Sequence, residues 1–455
     1  MRDRNVCILG MGRVGLTLAV VLAENGFYVN GVDADPGVID SLLRDTPHFF
    51  ELNLAKRLEA VRRGEHFVVS CHMPTLDSLN AYYIMPVRPK AWIITVGTPI
   101  DAEQRPDLLA VTRAARQVAD SLKTGDLVIV RSTVPIGTTR AVVKPILDGA
   151  GRQYDLAACP ERTVEGAALE ELCSLPQVVG GINEQAAVRA AMLFECITKI
   201  TKVSSLEAAE AVKLLDNVQR DARFALANEV ARVCDAVGLS ANEVARAAGA
   251  GYARWQVGKP GPVGGVCLEK DTWLLQAGLG YETAPISRIA RRQNKSLVRN
   301  TFHHIAALAD KIGLPPNPIV AVLGLAFKGC PETDDTRGSP AFDIIQEIRD
   351  RWERAYIRGC DPAVPDERIA AEFMVRPMPM RHVFEEADLV IVASNRDWFS
   401  TSASLAFASL EMARPSLIFD FWNNVPVDLA MSGLPEGIVY TGLGEIGKTR
   451  KGEGR

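Results

Sequence analysis

The sequence predicts an α/β protein in which two doubly wound domains are joined by a long central helix. With 455 residues the chain is longer than one hydrophobic core usually organises. Short apolar runs alternate with helical patterns towards both ends, which is typical of parallel sheets covered by helices. Between them lies one helical pattern far longer than the usual ~10–14 residues. We therefore predict domains at residues 1–200, 201–312 and 313–455.

The first domain opens with a strand, a glycine turn, a helix and a second strand. We predict these elements at Val6–Leu9, at Val14–Asn25, which Gly26 ends, and at Val29–Asp33. Two more strands are predicted in AWIITVG and DLVIVRSTV, on either side of a helix at Ala110–Leu122. This alternation indicates a parallel sheet with helices on both faces.

The turn after the first strand has the GxGxxG pattern of a Rossmann-like dinucleotide-binding domain. Gly10 permits the tight turn, Gly12 lets a pyrophosphate approach the backbone, and Gly15 lets the helix pack closely on the strand. The residues between these glycines are predicted cofactor contacts as well: Met11, Arg13 and Val14. Asp33 follows at about the ~20-residue offset where a carboxylate accepts a ribose hydroxyl, so we predict NAD rather than NADP.

The central helix is predicted from Ser204 to Val237. Ser204 and Glu207 have the spacing of a capping box, and Gly238 ends the pattern. The helix is alanine-rich and partly apolar on several faces, which indicates burial between domains or subunits.

The second α/β domain follows a linker-like segment, KIGLPPNPIV. Four strands are predicted there, in IVAVLGLAFKG, in AYIRGCDP, where the strand ends at Asp361, in ADLVIVAS and in SLIFDFWNN. This domain lacks GxGxxG, so we do not expect it to bind a second NAD. The tail, GKTRKGEGR, is charged and glycine-rich and is predicted to be disordered.

The net charge and the cysteine content restrict which partners and which cell compartment we expect. A net charge of -4 gives no reason to expect nucleic acid or a membrane surface as a partner. Nine dispersed cysteines, without a CxxC pair or a Cys/His cluster at zinc spacing, favour reduced thiols in the cytoplasm and no metal. Arg13 interrupts the only run that resembles a signal peptide, so we do not expect secretion.

The prolines and glycines of KPGPVGGVCLEKD indicate a tight loop, and we predict that Cys267 lies in this loop. Glycines let the backbone approach another group closely, which suits a reactive thiol. Free cysteine is more often a small buried apolar residue, however. From these residues alone both roles remain open.

Eight motifs in order resemble the UDP-glucose/GDP-mannose dehydrogenase family. They are GMGRVG, VGTP, STVPIGTT, CPERTVEG, EAVKLLDN, ANE, GPVGGVCLEKD and GLAFK followed by DDTRGSP. The resemblance implies an NAD-dependent four-electron oxidation of the C6 hydroxymethyl group of a nucleotide sugar, with a UDP-sugar favoured, to a uronic acid; the nucleotide of this substrate would bind in the second α/β domain. It makes Cys267 the nucleophile: an aldehyde carbon donates a second hydride only after a thiolate has made it tetrahedral, and the resulting thioester is then hydrolysed.

The same resemblance implies roles for other residues. Lys213, with Asn217 on the same helical face, would stabilise the oxyanions. Glu161 would assist thioester hydrolysis, Asp271 would position the water, and Thr133 would lie near the reacting carbon. Further cofactor contacts would be Thr98, Glu165, Lys270 and Arg337. The substrate would contact Glu161, Arg162, Lys213, Asn217, Gly264 and Lys328, and Arg254 would reach the neighbouring subunit's site.

The sequence determines the sugar substrate and the oligomeric state less closely than it determines the fold and the cofactor. Val266 stands where many members that act on N-acetylated sugars have histidine, and LEKD is closer to the UDP-glucose type, whereas CPERTVEG and DDTRGSP favour a UDP-N-acetylhexosamine (ManNAc or GlcNAc). We favour the N-acetylhexosamine and keep UDP-glucose as the alternative. More distant alternatives are a single-step hydroxyacid dehydrogenase and a non-catalytic nucleotide-binding protein. The long helix predicts a homodimer or larger homo-oligomer.

Overall fold

A computed structural model describes residues 4–74, 88–277, 279, 282–398 and 402–446. The predicted tail lies outside the described residues. The chain forms two compact units. The first unit comprises Met1–Asn217 and Lys270–Thr283, and the second comprises Val218–Glu269 and Ala284–Arg455.

The first unit is built on an eight-stranded sheet. Its described strands are β1 (Asn5–Leu9), β2 (Tyr28–Val32), β3 (Phe67–Ser70), β4 (Ala91–Ile94), β5 (Asp126–Val130), β6 (Tyr154–Ala158), β7 (Gln177–Gly181) and β8 (Ile200–Val203). Their order is β3-β2-β1-β4-β5-β6-β7-β8, and each pair is parallel except β6–β7. The four predicted strands are confirmed, and the chain departs from β1 in opposite directions towards β2 and β4, as in a doubly wound sheet.

Helices cover both faces of this sheet. They are α1 (Arg13–Glu24), α2 (Pro36–Leu43), α3 (Leu54–Arg63), α4 (Leu109–Ser121), α5 (Lys144–Asp148), α6 (Ala168–Ser174) and α7 (Glu184–Phe194), and a π-helical turn at Thr139–Val143 precedes α5. Two apolar clusters form the core, one on each face, because the strands are buried on both sides.

The long helix, α8 (Leu206–Val237), confirms the predicted central helix. Its predicted cap is wrong by one residue: Ser205, not Ser204, accepts the backbone N–H of Ala208 at 3.1 Å. Because the helix begins one residue later, Glu207 lies too early for a capping box and instead pairs with Arg140 at 2.5 Å. Gly238 has φ +71°, so it ends the helix as predicted. Three helices follow: α9 (Ala241–Gly249), α10 (Val266–Gln276) and α11 (Pro285–Ile312).

The second unit contains a six-stranded parallel sheet. Its described strands are β9 (Ile319–Leu323), β10 (Tyr356–Cys360), β11 (Arg376–Pro377), β12 (Leu389–Val392), β13 (Ser416–Asp420) and β14 (Ile438–Gly442), in the order β11-β10-β9-β12-β13-β14. Further helices are α12 (Pro340–Arg351), α13 (Asp366–Phe373), α14 (Ser402–Ala408) and α15 (Val427–Gly433), with a 3₁₀ turn at Ser409–Glu411. The four predicted strands are confirmed. The edge strands β11 and β14 were not predicted.

Among the described helices, none combines the length and the hydropathy that crossing a membrane would require.

Candidate active site

The glycine-rich turn between β1 and α1 has the geometry that the motif predicts. Gly10 has φ +99° and donates its N–H to Val32 O at 2.7 Å. A Cβ on Gly15 would lie 1.8 Å from Gly10 O, so only glycine allows α1 to start here. Among the described residues, a Cβ on Gly12 would meet no atom within 4 Å, so this backbone is open to the close approach of a phosphate.

Asp33 lies directly after β2, beside this turn. Its Oδ2 accepts the N–H of Met11 at 2.7 Å and its Oδ1 accepts the N–H of Asp35 at 2.9 Å. These bonds fix the carboxylate, and each oxygen keeps a second lone pair for a ribose hydroxyl. Arg13 lies 3.6 Å from Glu165, and Val14 is half-buried in the first turn of α1. Two predicted cofactor contacts therefore pair with each other.

Five predicted site residues of the first unit form one hydrogen-bonded chain. Thr98 donates to the carbonyl of Thr133 at 2.5 Å and accepts from Lys270 at 3.3 Å. Lys270 also contacts Asp271 Oδ1 at 3.0 Å, and Asn217 donates to Asp271 Oδ2 at 2.5 Å. Asp271 is 1% exposed, so a buried carboxylate is held between a cation and an amide.

Glu161 is held by a buried arginine that sequence reasoning did not single out. Arg131 contacts Glu161 Oε2, donates to Gln177 at 2.7 Å and donates to Cys159 O at 3.2 Å. Glu161 Oε1 accepts the backbone N–H groups of Arg162 at 2.7 Å and of Thr163 at 2.9 Å. Both oxygens of this carboxylate are therefore engaged within the protein.

The surroundings keep Glu161 ionised. Burial raises its pKa, but the charge of Arg131, the backbone N–H of Thr163 and the charge of Lys213 together hold that pKa below the ordinary value of 4.5. Lys213 is itself only 7% exposed. The anion of Glu161 thus acts on the buried ammonium predicted to stabilise oxyanions.

Glu210 is a second residue that sequence reasoning missed. It is 3% exposed and lies one turn before Lys213 on α8. Its carboxylate accepts the N–H of Gly137 at 2.6 Å and that of Thr139 at 2.9 Å. It thereby fixes the loop that carries Thr133. The sequence signal that could have identified Glu210 is an ionisable residue at a buried position of a helix.

In the second unit, Cys267 lies in the first turn of α10 rather than in the loop before it. It is exposed. The two glycines end the loop: Gly265 has φ +93° and donates its N–H to Gly338 O at 3.0 Å, and a Cβ on Gly264 would lie 2.2 Å from Gly338 O. The glycine pair therefore lets the backbone pass closely against the DDTRGSP loop. A helix N-terminus favours a thiolate in its first turn.

The second sheet has its own switch point between β9 and β12, where ligands bind in doubly wound folds. Lys328 follows β9, is 7% exposed and lies 5.5 Å from the ring of Phe327. Asn395 follows β12 and its Oδ1 accepts the N–H of Gly329 at 2.7 Å. The loops of both strands are thus joined around the predicted substrate lysine.

Three more predicted residues lie at or near the surface. Arg337 contacts Asp335 at 2.7 Å, and its side chain is 61% exposed. Arg254 is exposed, 4.8 Å from the ring of Tyr252. In the first unit, Arg162 contacts Asp216 at 2.7 Å. Within the described residues, no three metal-binding side chains lie together.

Family profiles match most of the chain. The NAD-binding domain of the UDP-glucose/GDP-mannose dehydrogenase family matches residues 4–198, its central domain residues 207–296 and its UDP-binding domain residues 321–426. The chain belongs to this family. It is therefore an NAD-dependent nucleotide-sugar dehydrogenase, and the resemblance inferred from the motifs is confirmed.

Individual relatives agree with this result. The chain is 31% identical over 447 residues to UDP-N-acetyl-D-mannosamine dehydrogenase of Pyrococcus horikoshii, covering 96% of this chain and 99% of the relative. A solved structure of UDP-D-ManNAc dehydrogenase from Pyrococcus horikoshii has a TM-score of 0.83 at 29% identity, covering 98% and 100% of the two chains. A UDP-glucose dehydrogenase from Pyrobaculum islandicum has a TM-score of 0.80 at 26% identity, covering 97% and 98%.

The residues around the first glycine turn fit NAD. The open backbone at Gly12 and the N-terminus of α1 suit the pyrophosphate, and the fixed carboxylate of Asp33 suits an unphosphorylated ribose.

Replacing Asp33 with Ser removes the repulsion of a 2′-phosphate. We expect kcat/KM for NAD⁺ to fall and the ratio of NAD⁺ to NADP⁺ use to drop by at least ~10-fold. Steady-state kinetics with both cofactors measure this ratio; an unchanged ratio would place Asp33 away from the ribose.

Replacing Arg131 with Met leaves the buried carboxylate of Glu161 without its cation, a change that typically costs about 3–5 kcal/mol. In the wild type the pKa of Glu161 is lowered, so its contribution to stability is present above pH 4.5 and is lost as the pH falls through the folded-state pKa. In the variant, burial raises that pKa, so protonation relieves the cost at low pH.

We therefore expect Arg131→Met to lower the thermal unfolding midpoint more at pH 7.5 than at pH 5.0. Arg57→Met is the control, because Arg57 pairs with Glu24 and both side chains are about 30% exposed. It should shift the midpoint little at either pH. Equal losses for Arg131→Met at both pH values would contradict this account of Glu161.

Proposed function

We propose that the chain is a UDP-N-acetylhexosamine 6-dehydrogenase that oxidises the C6 hydroxymethyl group to a carboxylate in two steps. The observation that carries the proposal is the chain of contacts from Thr133 through Thr98 and Lys270 to Asp271. These four residues all belong to the first unit, and Cys267 precedes Asp271 by four positions in the sequence.

Each side chain has a chemical task in this proposal. The Cys267 thiolate adds to the aldehyde carbon and so holds the substrate as a thiohemiacetal and then as a thioester. Lys213 and Asn217 stabilise the oxyanion, and Asp271 orients the hydrolytic water. NAD⁺, when bound by the glycine turn and Asp33, supplies the hydride acceptor.

Glu161 differs from its predicted role in this proposal. Because both its oxygens accept hydrogen bonds and its pKa is lowered, it is a weak base. We propose that Glu161 fixes the conformation of the CPERTVEG loop and provides a negative charge near Lys213. Assistance to hydrolysis then comes through this electrostatic effect.

The substrate follows from the relatives and the second unit. The Pyrococcus horikoshii relative, which matches over 96% of this chain, carries the name UDP-N-acetyl-D-mannosamine dehydrogenase, and the last domain matches a UDP-binding domain. We propose that Lys328 binds the nucleotide part at the β9–β12 switch point, and that UDP-N-acetylmannosamine is the favoured sugar. The alternative is UDP-glucose, which the similarity to the Pyrobaculum structure supports.

Counting NADH against sugar tests this function. Purified protein is incubated with NAD⁺ and a panel of UDP-ManNAc, UDP-GlcNAc, UDP-glucose and GDP-mannose. We expect about two NADH per UDP-ManNAc and a uronic acid product, since Cys267 retains the aldehyde. One NADH per sugar with a free aldehyde would contradict the mechanism, and preferred use of UDP-glucose would select the alternative.

Cys267→Ser separates the two oxidations, because serine is a far weaker nucleophile at neutral pH. The first hydride transfer needs no thiol, so we expect product to stop at the aldehyde or its hydrate. Cys173→Ser is the matched control, since Cys173 is also an exposed cysteine. Carboxylate formation by Cys267→Ser at the wild-type rate would make this thiol structural.

We also propose that the enzyme is a homodimer or larger homo-oligomer in the cytoplasm. Leu226, Val233 and Val237 follow one face of α8 and are 50%, 58% and 52% exposed. An apolar stripe of this kind is typical of a subunit interface. The nine cysteines all lie among the described residues and form no disulfide bond, which suits a reducing compartment.

Val233→Glu with Val237→Glu should convert the oligomer to monomers, because two carboxylates would be buried without partners. Light scattering at micromolar concentration measures the mass. Glu substitutions at Leu429 and Met431, which are 56% and 44% exposed on α15, are the control. A wild-type enzyme that is monomeric and fully active would contradict this assembly.

A further inference from the structure

Four buried polar side chains of the second unit form a network that the catalytic proposal does not use. Asp221 and Asn228 come from α8, and Arg291 and Asn294 come from α11. Their exposures are 1%, 0%, 4% and 3%. Polar side chains this deeply buried are retained where they make specific hydrogen bonds.

Asn228 is bonded to the backbone of Gly261 in both directions. Its Oδ1 accepts the N–H of Gly261 at 2.8 Å, and its Nδ2 donates to Gly261 O at 3.1 Å. The same Nδ2 donates to Asn294 Oδ1 at 3.1 Å. Asn294 in turn donates to Asp221, to its carbonyl at 2.9 Å and to its Oδ1 at 2.8 Å. Each amide is therefore fixed in orientation by the next residue of the network.

Arg291 extends the network to a second point of the same segment. Its guanidinium lies 3.1 Å from Asp221 Oδ1 and donates to Val263 O at 3.4 Å. Burial raises the pKa of Asp221, and the charge of Arg291 opposes that effect. The ion pair with Asp221 thus holds the Arg291 guanidinium in place as a hydrogen-bond donor to the loop between α9 and α10.

The contacts recur along the segment that leads to Cys267. Gly261 is bound by Asn228, Val263 by Arg291, and Gly265 by Gly338 O. A Cβ on Gly261 would lie 2.6 Å from the ring of Trp422, so the backbone at this point is also confined by packing. Every second residue from position 261 to position 265 is therefore held by a hydrogen bond just before α10 begins.

We propose that Asn228 is a positioning residue for Cys267, acting through Gly261 and supported by Asn294, Asp221 and Arg291. The proposal rests on the assignment of Cys267 as the nucleophile. The network sets the path of residues 261–265 and thereby the place of the first turn of α10, which carries the thiol. Asn228 touches neither substrate nor cofactor in this role.

Stability alone does not account for the network. Within the described part of the chain, Asp221 Oδ2 is buried and has no hydrogen-bond partner. A buried acceptor left unpaired is costly, and apolar residues of similar volume are often as stable as a buried ion pair. What apolar residues cannot do is donate to Gly261 O and Val263 O while accepting from Gly261 N.

Asn228→Leu tests the proposal, because leucine keeps the volume and removes the clamp. We expect kcat for the complete oxidation to fall by ~10- to 10²-fold, the scale for misplacing a reacting group by about 1 Å, with KM for NAD⁺ nearly unchanged. The NADH burst of the first oxidation should be retained. The rate of Cys267 alkylation by iodoacetamide should change as well, and this readout does not depend on turnover.

Asp388→Ala is the matched control. Asp388 is also buried in the second unit and accepts the N–H of Ile319 at 2.8 Å, but at the amino end of β9, far along the sheet from its switch point. It should cost stability without changing kcat or alkylation. If Asn228→Leu behaves like this control, the positioning role is overturned.

Gly261→Ala provides a second route if Asn228→Leu does not fold. The added methyl group displaces the loop from Trp422 while the network residues stay intact. Loss of kcat with altered alkylation supports the proposal, and wild-type values for both overturn it. Failure of the proposed function is recognised separately, because Cys267→Ser would then still form carboxylate whatever the loop variants do.

Discussion

The parallel strand arrangement is the constraint on which the chemistry depends. In a parallel sheet every strand ends at the same edge, so the residues that follow the strands are brought together there. In the first unit Gly10 follows β1, Asp33 follows β2 and Glu161 follows β6. Thr98 and Thr133 follow β4 and β5 and bond to each other at 2.5 Å. Residues more than 100 positions apart thus reach one edge without any of them being close in sequence.

Both sheets have the same kind of glycine turn, after β1 in the first and after β9 in the second, but the two turns have different roles. Gly324 has φ +94° and donates to Cys360 O at 2.9 Å, as Gly10 does to Val32 O at 2.7 Å. Asp361 then accepts the N–H groups of Leu325 and Ala326 through one oxygen and that of Ala363 through the other. Asp361 is only 8% exposed. Its carboxylate is committed to the turn, whereas Asp33 keeps capacity for a ribose, which agrees with NAD binding in the first sheet.

The predicted catalytic residues are divided between the two units. Lys213, Asn217 and Asp271 belong to the first unit, which also carries the cofactor motif, while Cys267 belongs to the second. The boundary crosses α8 between Asn217 and Val218 and crosses α10 between Glu269 and Lys270. The sequence distance between these residues therefore does not correspond to the division into units, since Cys267 and Asp271 are only four positions apart.

The sequence by itself determined the fold class, the glycine turn, the cofactor and the family, because each depends on short-range patterns: strand and helix periodicity, GxGxxG with Asp33, and ordered motifs. It misplaced the cap of α8 by one residue and put Cys267 in a loop, because element ends depend on backbone hydrogen bonds that pattern does not specify. Only the tertiary structure decided the partners of buried polar groups. Arg131 with Glu161, Glu210 with the Thr133 loop and Asn228 with Gly261 are separated by 30 or more residues, and no local rule selects which distant group will satisfy a buried charge or amide.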